Sequence, residues 1–160
     1  MALTRRQLKK FQRKTLACRR EFHYKPDYIY YKERDFWAFP PLDTVRINGV
    51  RVEKRVGDCE DAALDIGRRY YGGKKKFLEA LDRGDCKIWH CTTEGFGGKG
   101  NHAALEIDGY FVESIFWTVT DRPSWHDKKH LQGSIYMLKP RSPRYVRLKL
   151  GMDDTVEKGP

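Results

Sequence analysis

Apolar positions near the start of the chain follow the period of a helix. Thr4 and Gln7 have the spacing of a capping box, which predicts a helix N-terminus at this point. Apolar residues then recur on one face of a strongly basic segment that runs to about residue 22: Leu8, Phe11, Cys18 and Phe22. We therefore expect a basic amphipathic helix within residues 1–25, bounded by Pro26.

Two later segments show the alternation typical of β-hairpins. Val45 to Val52 alternates apolar and polar residues around Asn48-Gly49, a dipeptide that favours a two-residue turn. A second hairpin, His102 to Ile107 and Tyr110 to Val119, is centred on Asp108-Gly109. Strands are also predicted in three other segments: Cys86 to Thr92, Ser134 to Leu138, and Tyr145 to Leu150.

The segment that follows the first hairpin predicts a second helix. It opens at Gly57-Asp58-Cys59 and should end at Gly72-Gly73. Asp58 is the natural N-cap, and Asp61 at the third helical position places a second carboxylate at the positive end of the helix dipole. A shorter helix is expected around Phe77 to Leu81. These elements predict a single domain over residues 1–150 and a polar tail at residues 151–160.

Composition and charge narrow the range of functions. Hydrophobic residues make up 39% of the 160 residues, enough for one core without disulfides or metals. No segment approaches the roughly eighteen apolar residues of a membrane span, and residues 1–25 do not resemble a secretory signal. We expect a cytoplasmic protein, or a virion-associated one if a bacteriophage encodes it, with its four cysteines reduced. The net charge of +10 favours acidic partners.

Cys59 is the first candidate for chemistry. It lies in the first turn of a predicted helix, where unpaired backbone N–H groups favour a negative charge on the sulfur. Three neighbouring carboxylates oppose thiolate formation: Asp58, Glu60 and Asp61. A histidine partner is therefore needed to activate this thiol.

The second hairpin supplies such a partner. If Asp108-Gly109 is a two-residue turn, Ala104 faces Glu113, and His102 becomes the diagonal neighbour of Glu113 on the same face. A carboxylate there can hold the tautomer of the imidazole and stabilise its charged form. The opposite face is apolar and is expected to join the core: Ala103, Leu105, Ile107, Val112 and Phe116.

These motifs resemble the bacterial transglutaminase-like cysteine proteinases of the papain-like superfamily. One shared motif is Gly57-Asp58-Cys59-Glu60-Asp61, which opens a helix. The other is His102-Ala103, followed by a tight turn and a strand that ends in an acid, Glu113. The resemblance spans about Gly57 to Ser114 and implies an α+β papain-like fold, with the catalytic helix packed on an antiparallel sheet.

The resemblance also implies a reaction. Cys59 matches the nucleophile, His102 the base and Glu113 the third member of a triad, in a thiol-dependent hydrolase or acyl transferase that acts on amide bonds of a protein or peptide. In the family the acid is usually an Asp and lies further from the histidine, so Glu113 is a departure. The backbone N–H of Cys59 would be one oxyanion donor, and the candidates for the second are Tyr30, Tyr31 and Trp37.

The reaction requires no cofactor, but calcium is an alternative reading of the acidic residues. A calcium-dependent branch of the family uses acids around the cysteine as ligands, and the matching positions are Asp58, Glu60 and Asp61. The simpler interpretation is that these residues only cap the helix.

Two other functions are compatible with the sequence, and a third candidate, a zinc site, is less so. A peptidoglycan peptidase of the related cell-wall hydrolase type shares the Asp-Cys helix start and the hairpin histidine. A catalytically inactive, nucleic-acid- or assembly-associated protein would use the basic N-terminal helix, which also allows accessory nucleic-acid binding by an enzyme. A zinc site at Cys86, His90 and Cys91 is disfavoured, because Cys91 points to the other face of its strand and no Cys-x-x-Cys pair accompanies it.

Overall fold

The chain combines helices with two β-sheets. The structure is a computed structural model that describes residues 2–26, 37–94, 100–114, 117–121 and 134–152. The helices within these ranges are α1 (Arg5–Glu21), α2 (Cys59–Tyr71), α3 (Lys74–Arg83) and α4 (Pro143–Lys149). The strands are β1 (Phe22–Tyr24), β2 (Leu42–Ile47), β3 (Val50–Gly57), β4 (Cys86–Glu94), β5 (Gly100–Ile107), β6 (Tyr110–Glu113) and β7 (Ser134–Arg141). The predicted α+β class is confirmed.

The strands form two separate sheets. The first has the order β1-β3-β2, with β1 parallel to β3 and β2 antiparallel to it. The second has the order β6-β5-β4-β7, and all of its strand pairs are antiparallel. Strand β3 of the first sheet leads directly into α2, which packs on β5 of the second sheet. Helix α2 therefore connects the two sheets.

Both predicted hairpins are confirmed with their registers. Ile47 pairs with Val50 across one turn, and Ile107 pairs with Tyr110 across the other. The first turn residues, Asn48 and Asp108, have φ values of 51° and 47°, as a two-residue turn of this kind requires. The predicted capping box of α1 is also present, since Gln7 N–H donates to Thr4 Oγ1 and Thr4 N–H donates to Gln7 Oε1.

Two predicted strands differ from the structure. The segment Tyr145 to Leu150 was wrongly predicted as a strand, because α4 covers most of it. Ser142 caps this helix by accepting a hydrogen bond from Tyr145 N–H, and Pro143 lies in its first turn, so the capping signal outweighs the alternating side chains.

The strand predicted to reach Val119 ends at Glu113 instead. Trp117 N–H donates to the Glu113 carbonyl at 3.0 Å, which closes a turn. The chain then folds back, and Thr120 exchanges two backbone hydrogen bonds with Phe111. Phe116, predicted to join the core, lies outside the described residues.

The core lies between α2 and the second sheet. The hairpin contributes Ala103, Leu105, Ile107 and Val112 to it, as its apolar face predicted. Helix α1 covers the other side of α2 with three buried residues: Phe11, Thr15 and Cys18. Within the described ranges, no helix is both long and apolar enough to cross a membrane.

Candidate active site

The start of α2 is fixed by a buried carboxylate. Asp61 is fully buried; its Oδ2 accepts the backbone N–H of Asp58 at 3.2 Å, and its Oδ1 accepts the N–H of Ala38 at 2.9 Å. A Cβ on Gly57 would lie 2.6 Å from the Asp61 side chain, so only glycine allows this close approach. Asp61 thus holds the helix N-terminus in place, and with it the position of Cys59.

The Cys59 thiol lies in a buried, acidic environment. Its side chain is only slightly exposed, and its sulfur donates a hydrogen bond to Glu60 Oε2 at 3.3 Å. Burial raises the pKa of this thiol well above its ordinary value, and the carboxylates of Glu60 and Asp58 raise it further. The thiol is therefore protonated at neutral pH, despite its position at a helix N-terminus.

The predicted contact between His102 and Glu113 is present. Ala104 pairs with Glu113 across β5 and β6, and His102 Nε2 lies 3.0 Å from Glu113 Oε2. Both side chains are buried, 6% and 1% exposed, so water screens this contact little. Because Nε2 faces the carboxylate, Nδ1 is the nitrogen through which His102 would reach a thiol.

Ala103 connects the cysteine to this pair. Its backbone N–H donates to the Cys59 sulfur, a contact that favours the thiolate and opposes the effect of burial. The last pair between β5 and β6 is Ala104 with Glu113, so the Ala103 N–H lies just beyond the paired part of this edge. The sulfur occupies that place and therefore lies beside the residue that directly follows His102.

Trp117 is a residue of this site that sequence reasoning missed. Its φ of 56° is unusual for a bulky side chain, and its N–H holds the carbonyl of Glu113. Its ring packs on Phe22, with 5.6 Å between the ring centroids. Phe22 begins β1, which pairs with the strand that leads to Cys59. No sequence signal marks a tryptophan for this conformation.

A second buried imidazole, His90, lies opposite Ala103 on β4. Arg141 Nε donates to His90 Nδ1 at 2.8 Å, and the ring packs against Trp37 and Tyr145. This nitrogen uses its lone pair to accept the guanidinium N–H, so it cannot also accept a thiol proton. His102 is therefore the better candidate for the base.

The cysteines and histidine considered for zinc are engaged elsewhere or not described. His90 Nδ1 is bound by Arg141, and the Cys86 thiol is hydrogen-bonded to Tyr71. Burial raises the pKa of Cys86 to about 12, which disfavours the thiolate that zinc requires. The side chain of Cys91 lies outside the described residues. Nothing in this cluster adds support to a zinc site.

The acidic residues give the calcium alternative little support either. Asp58, Cys59 and Glu60 each place one potential ligand atom within 4.8 Å of the others. Calcium takes six to eight oxygen ligands, whereas this group offers two carboxylates and a thiol. Asp61 already accepts two backbone N–H groups. Calcium binding stays a prediction, and helix capping accounts for Asp61.

Two of the four candidate oxyanion donors, the Cys59 N–H and Trp37, lie within the described residues. The Cys59 N–H is at the first position of α2, where the helix itself provides no acceptor for it. Of the three candidates for a second donor, Trp37 is 1% exposed and packs against His90 and Tyr145. Tyr30 and Tyr31 lie outside the described residues.

Comparison with known proteins adds no assignment to this geometry. No protein-family model matches the chain, and no curated protein matches its sequence.

Proposed function

We propose that this chain is a thiol-dependent hydrolase or acyl transferase that acts on amide bonds, with Cys59 as nucleophile, His102 as base and Glu113 as the residue that orients the base. The observation that best supports the proposal is the hydrogen bond from Ala103 N–H to the Cys59 sulfur, beside the buried His102–Glu113 pair. The first contact links the thiol to the strand that carries His102, and the second links the imidazole to the carboxylate; both support a triad whose members are at most 54 positions apart in the chain.

The same arrangement supports the transglutaminase-like resemblance. A cysteine at the start of a helix packs beside a histidine strand, and the acid comes from the neighbouring antiparallel strand. We include a papain-like core in the proposal for this reason. The substrate class that follows is a protein or peptide.

The protonation state of Cys59 determines how the reaction would begin. Because the thiol pKa is raised, a preformed thiolate–imidazolium pair is not the resting state. His102 takes the thiol proton while the sulfur bonds to the amide carbonyl carbon, and the Cys59 N–H stabilises the oxyanion. The carbon–nitrogen bond then breaks as His102 returns the proton to the leaving amine.

The second half of the reaction releases the acyl group. His102 removes a proton from water, whose oxygen attacks the thioester carbon, and the sulfur leaves as a thiol when the proton is returned. An amine in place of water would give transamidation by the same steps. Glu113 holds Nε2 of His102 throughout and so keeps the ring in position.

The proposal is tested first by alkylation. Iodoacetamide labelling of each cysteine is followed by peptide mass mapping in the wild type, His102→Ala and the control His23→Ala. If His102 accepts the thiol proton, the labelling rate of Cys59 falls about tenfold or more in His102→Ala only, while Cys18 and Cys86 report on unfolding. An unchanged Cys59 rate in a folded His102→Ala variant would contradict the proposed pair.

Activity is then measured on defined probes. Fluorescein-labelled casein reports hydrolysis, dansylcadaverine incorporation into casein reports transamidation, and turbidity of purified cell walls reports the peptidoglycan alternative. We expect Cys59→Ala to abolish activity and His102→Ala to lower it roughly 10²–10⁴-fold, the usual contribution of a general base. Activity that survives in Cys59→Ala would exclude the proposal.

A further inference from the structure

Helix α1 presents one continuous basic surface to solvent. Six of its cationic side chains are exposed: Arg5, Arg6, Lys9, Arg13, Arg19 and Arg20. Four of them recur at spacings of three, four and seven residues, and they define an outward row opposite the buried Phe11, Thr15 and Cys18: Arg6, Lys9, Arg13 and Arg20. At about 1.5 Å per residue, this row is roughly 21 Å long.

None of the cations of the outward row forms an ion pair with another of the described residues. Among the described residues, the ion pair of α1 joins Glu21 to Arg69, and none of the four cations of the row takes part in one. Arg5, Arg6, Lys9 and Arg13 instead surround a shallow surface depression. Their charges are thus directed at solvent and at whatever anion approaches from it.

This arrangement is unfavourable for the helix itself. The first turn of α1 contains Arg5 and Arg6 and no acid, although the positive end of the dipole favours carboxylates there. Like charges also face each other one turn apart, as in the pairs Arg5–Lys9 and Lys9–Arg13. A surface that costs helix stability and forms no ion pair within the described part of the chain is explained by an external polyanion.

We infer that the outward row of α1 binds the phosphate backbone of a double-stranded nucleic acid, without sequence preference. About 21 Å of duplex presents roughly a dozen phosphates, enough to pair with every cation of the row. A single strand is disfavoured because its binding relies on exposed aromatic rings, and Phe11, the aromatic residue of α1, is buried. A lipid bilayer is disfavoured because the apolar face of α1 is packed against α2 and cannot insert.

This inference does not depend on the thiol chemistry, and it is tested by binding alone. A fluorescent 20-base-pair DNA duplex is titrated with the wild type, with the triple variant Arg6→Gln, Lys9→Gln, Arg13→Gln, and with a matched control. The control, Lys74→Gln, Lys75→Gln, Lys76→Gln, removes the same charge from the first turn of α3. Anisotropy is measured over a range of salt concentrations.

We expect the α1 triple variant to bind at least about tenfold more weakly. The slope of log K against log salt, which is negative, should become less steep by about 2.7, or 0.9 for each lost contact. The α3 control should keep the wild-type slope. Circular dichroism should show α1 as helical as before, since glutamine favours helices and the repulsion is removed. A variant that lost binding because it unfolded would show a weaker helical signal than the wild type.

Three results would overturn the inference. The first is that the wild type fails to bind the duplex. The second is that both triple variants lose the same affinity. The third is that the wild type binds vesicles of phosphatidylserine and phosphatidylcholine but not DNA. The second result would mean that net charge alone drives binding, and the third would make α1 a lipid-binding surface.

Discussion

Helices α1 and α2 both begin with a capping box, yet their charges are placed in opposite ways. In α1 the box is Thr4–Gln7 at the surface, and most of the cations are in water. In α2 the box is Asp58–Asp61, and the four acids of the helix start and first two turns are at most 8% exposed: Asp58, Glu60, Asp61 and Asp65. One helix places its charge in solvent and the other buries it.

Exposed charges and buried charges have different physical effects. An exposed charge costs little to keep, acts at a distance and weakens with salt, as a surface for polyanions requires. A buried charge is costly unless it is paired, and it changes the pKa of its neighbours, as the raised pKa of Cys59 illustrates. Substitutions in α2 should therefore have larger effects on stability and reactivity than substitutions in α1.

The largest expected effect is the loss of stability when Asp65 is replaced. This buried carboxylate binds Arg68 Nε at 3.0 Å and Arg69 Nε at 2.8 Å, and Arg69 is itself mostly buried. Asp65→Ala leaves the guanidinium of Arg69 without this partner and should lower the free energy of unfolding by about 3–5 kcal/mol. Urea unfolding of the variant, with the exposed Glu79→Ala as a control, measures the difference.

Asp65 should also account for part of the loss of stability at acid pH. Burial alone would raise the pKa of Asp65, but the hydrogen bonds from Arg69 and Arg68 outweigh it and lower the pKa below the usual 3.8. Its contribution is present at neutral pH and is lost as the pH falls below about 4, through the lowered pKa. The difference in unfolding free energy between wild type and variant should therefore shrink at low pH; a constant difference would contradict this account.

Asp61→Asn should have an intermediate effect. The amide can accept one of the two N–H groups that the carboxylate holds, so either the part-buried N–H of Ala38 or the buried N–H of Asp58 loses its hydrogen bond. We expect a loss of about 1–3 kcal/mol in the free energy of unfolding. Because Asp61 fixes the start of α2, the variant should also broaden the NMR signals of Cys59; a stable variant with unchanged signals would show that the helix start is held by other contacts.

Glu60→Gln should change reactivity more than stability. It removes the charge that raises the Cys59 pKa and leaves a neutral amide in place of the carboxylate that accepts the thiol hydrogen bond. The alkylation rate of Cys59 at pH 8 should rise about tenfold or more, with its pH dependence shifted towards lower pH. Glu79→Gln, on the exposed face of α3, is the matched control, and equal rates in both variants would show that burial alone sets the thiol pKa.

The sequence determined the local elements and half of the candidate site. A two-residue turn at Asp108-Gly109 sets one register. Because side chains alternate along a strand, that register predicted the contact between His102 and Glu113, which is 3.0 Å in the structure. The capping box of α1 and the N-cap position of Asp58 at the start of α2 also followed from the sequence. The helix α4 was missed because its short alternating pattern fits a strand as well, and only the Ser142-Pro143 cap distinguishes them.

Tertiary structure decided how the cysteine meets the hairpin. The hydrogen bonds from Ala103 to Cys59 and from Arg141 to His90 join residues 44 and 51 positions apart, a separation that carries no periodic signal. The burial of Cys59 is also a tertiary property: the opposing effect of Glu60 and Asp58 was predicted from the sequence, but the desolvation that raises the thiol pKa most was not. Local pattern fixes which atoms face one another along an element, whereas desolvation depends on everything packed around them.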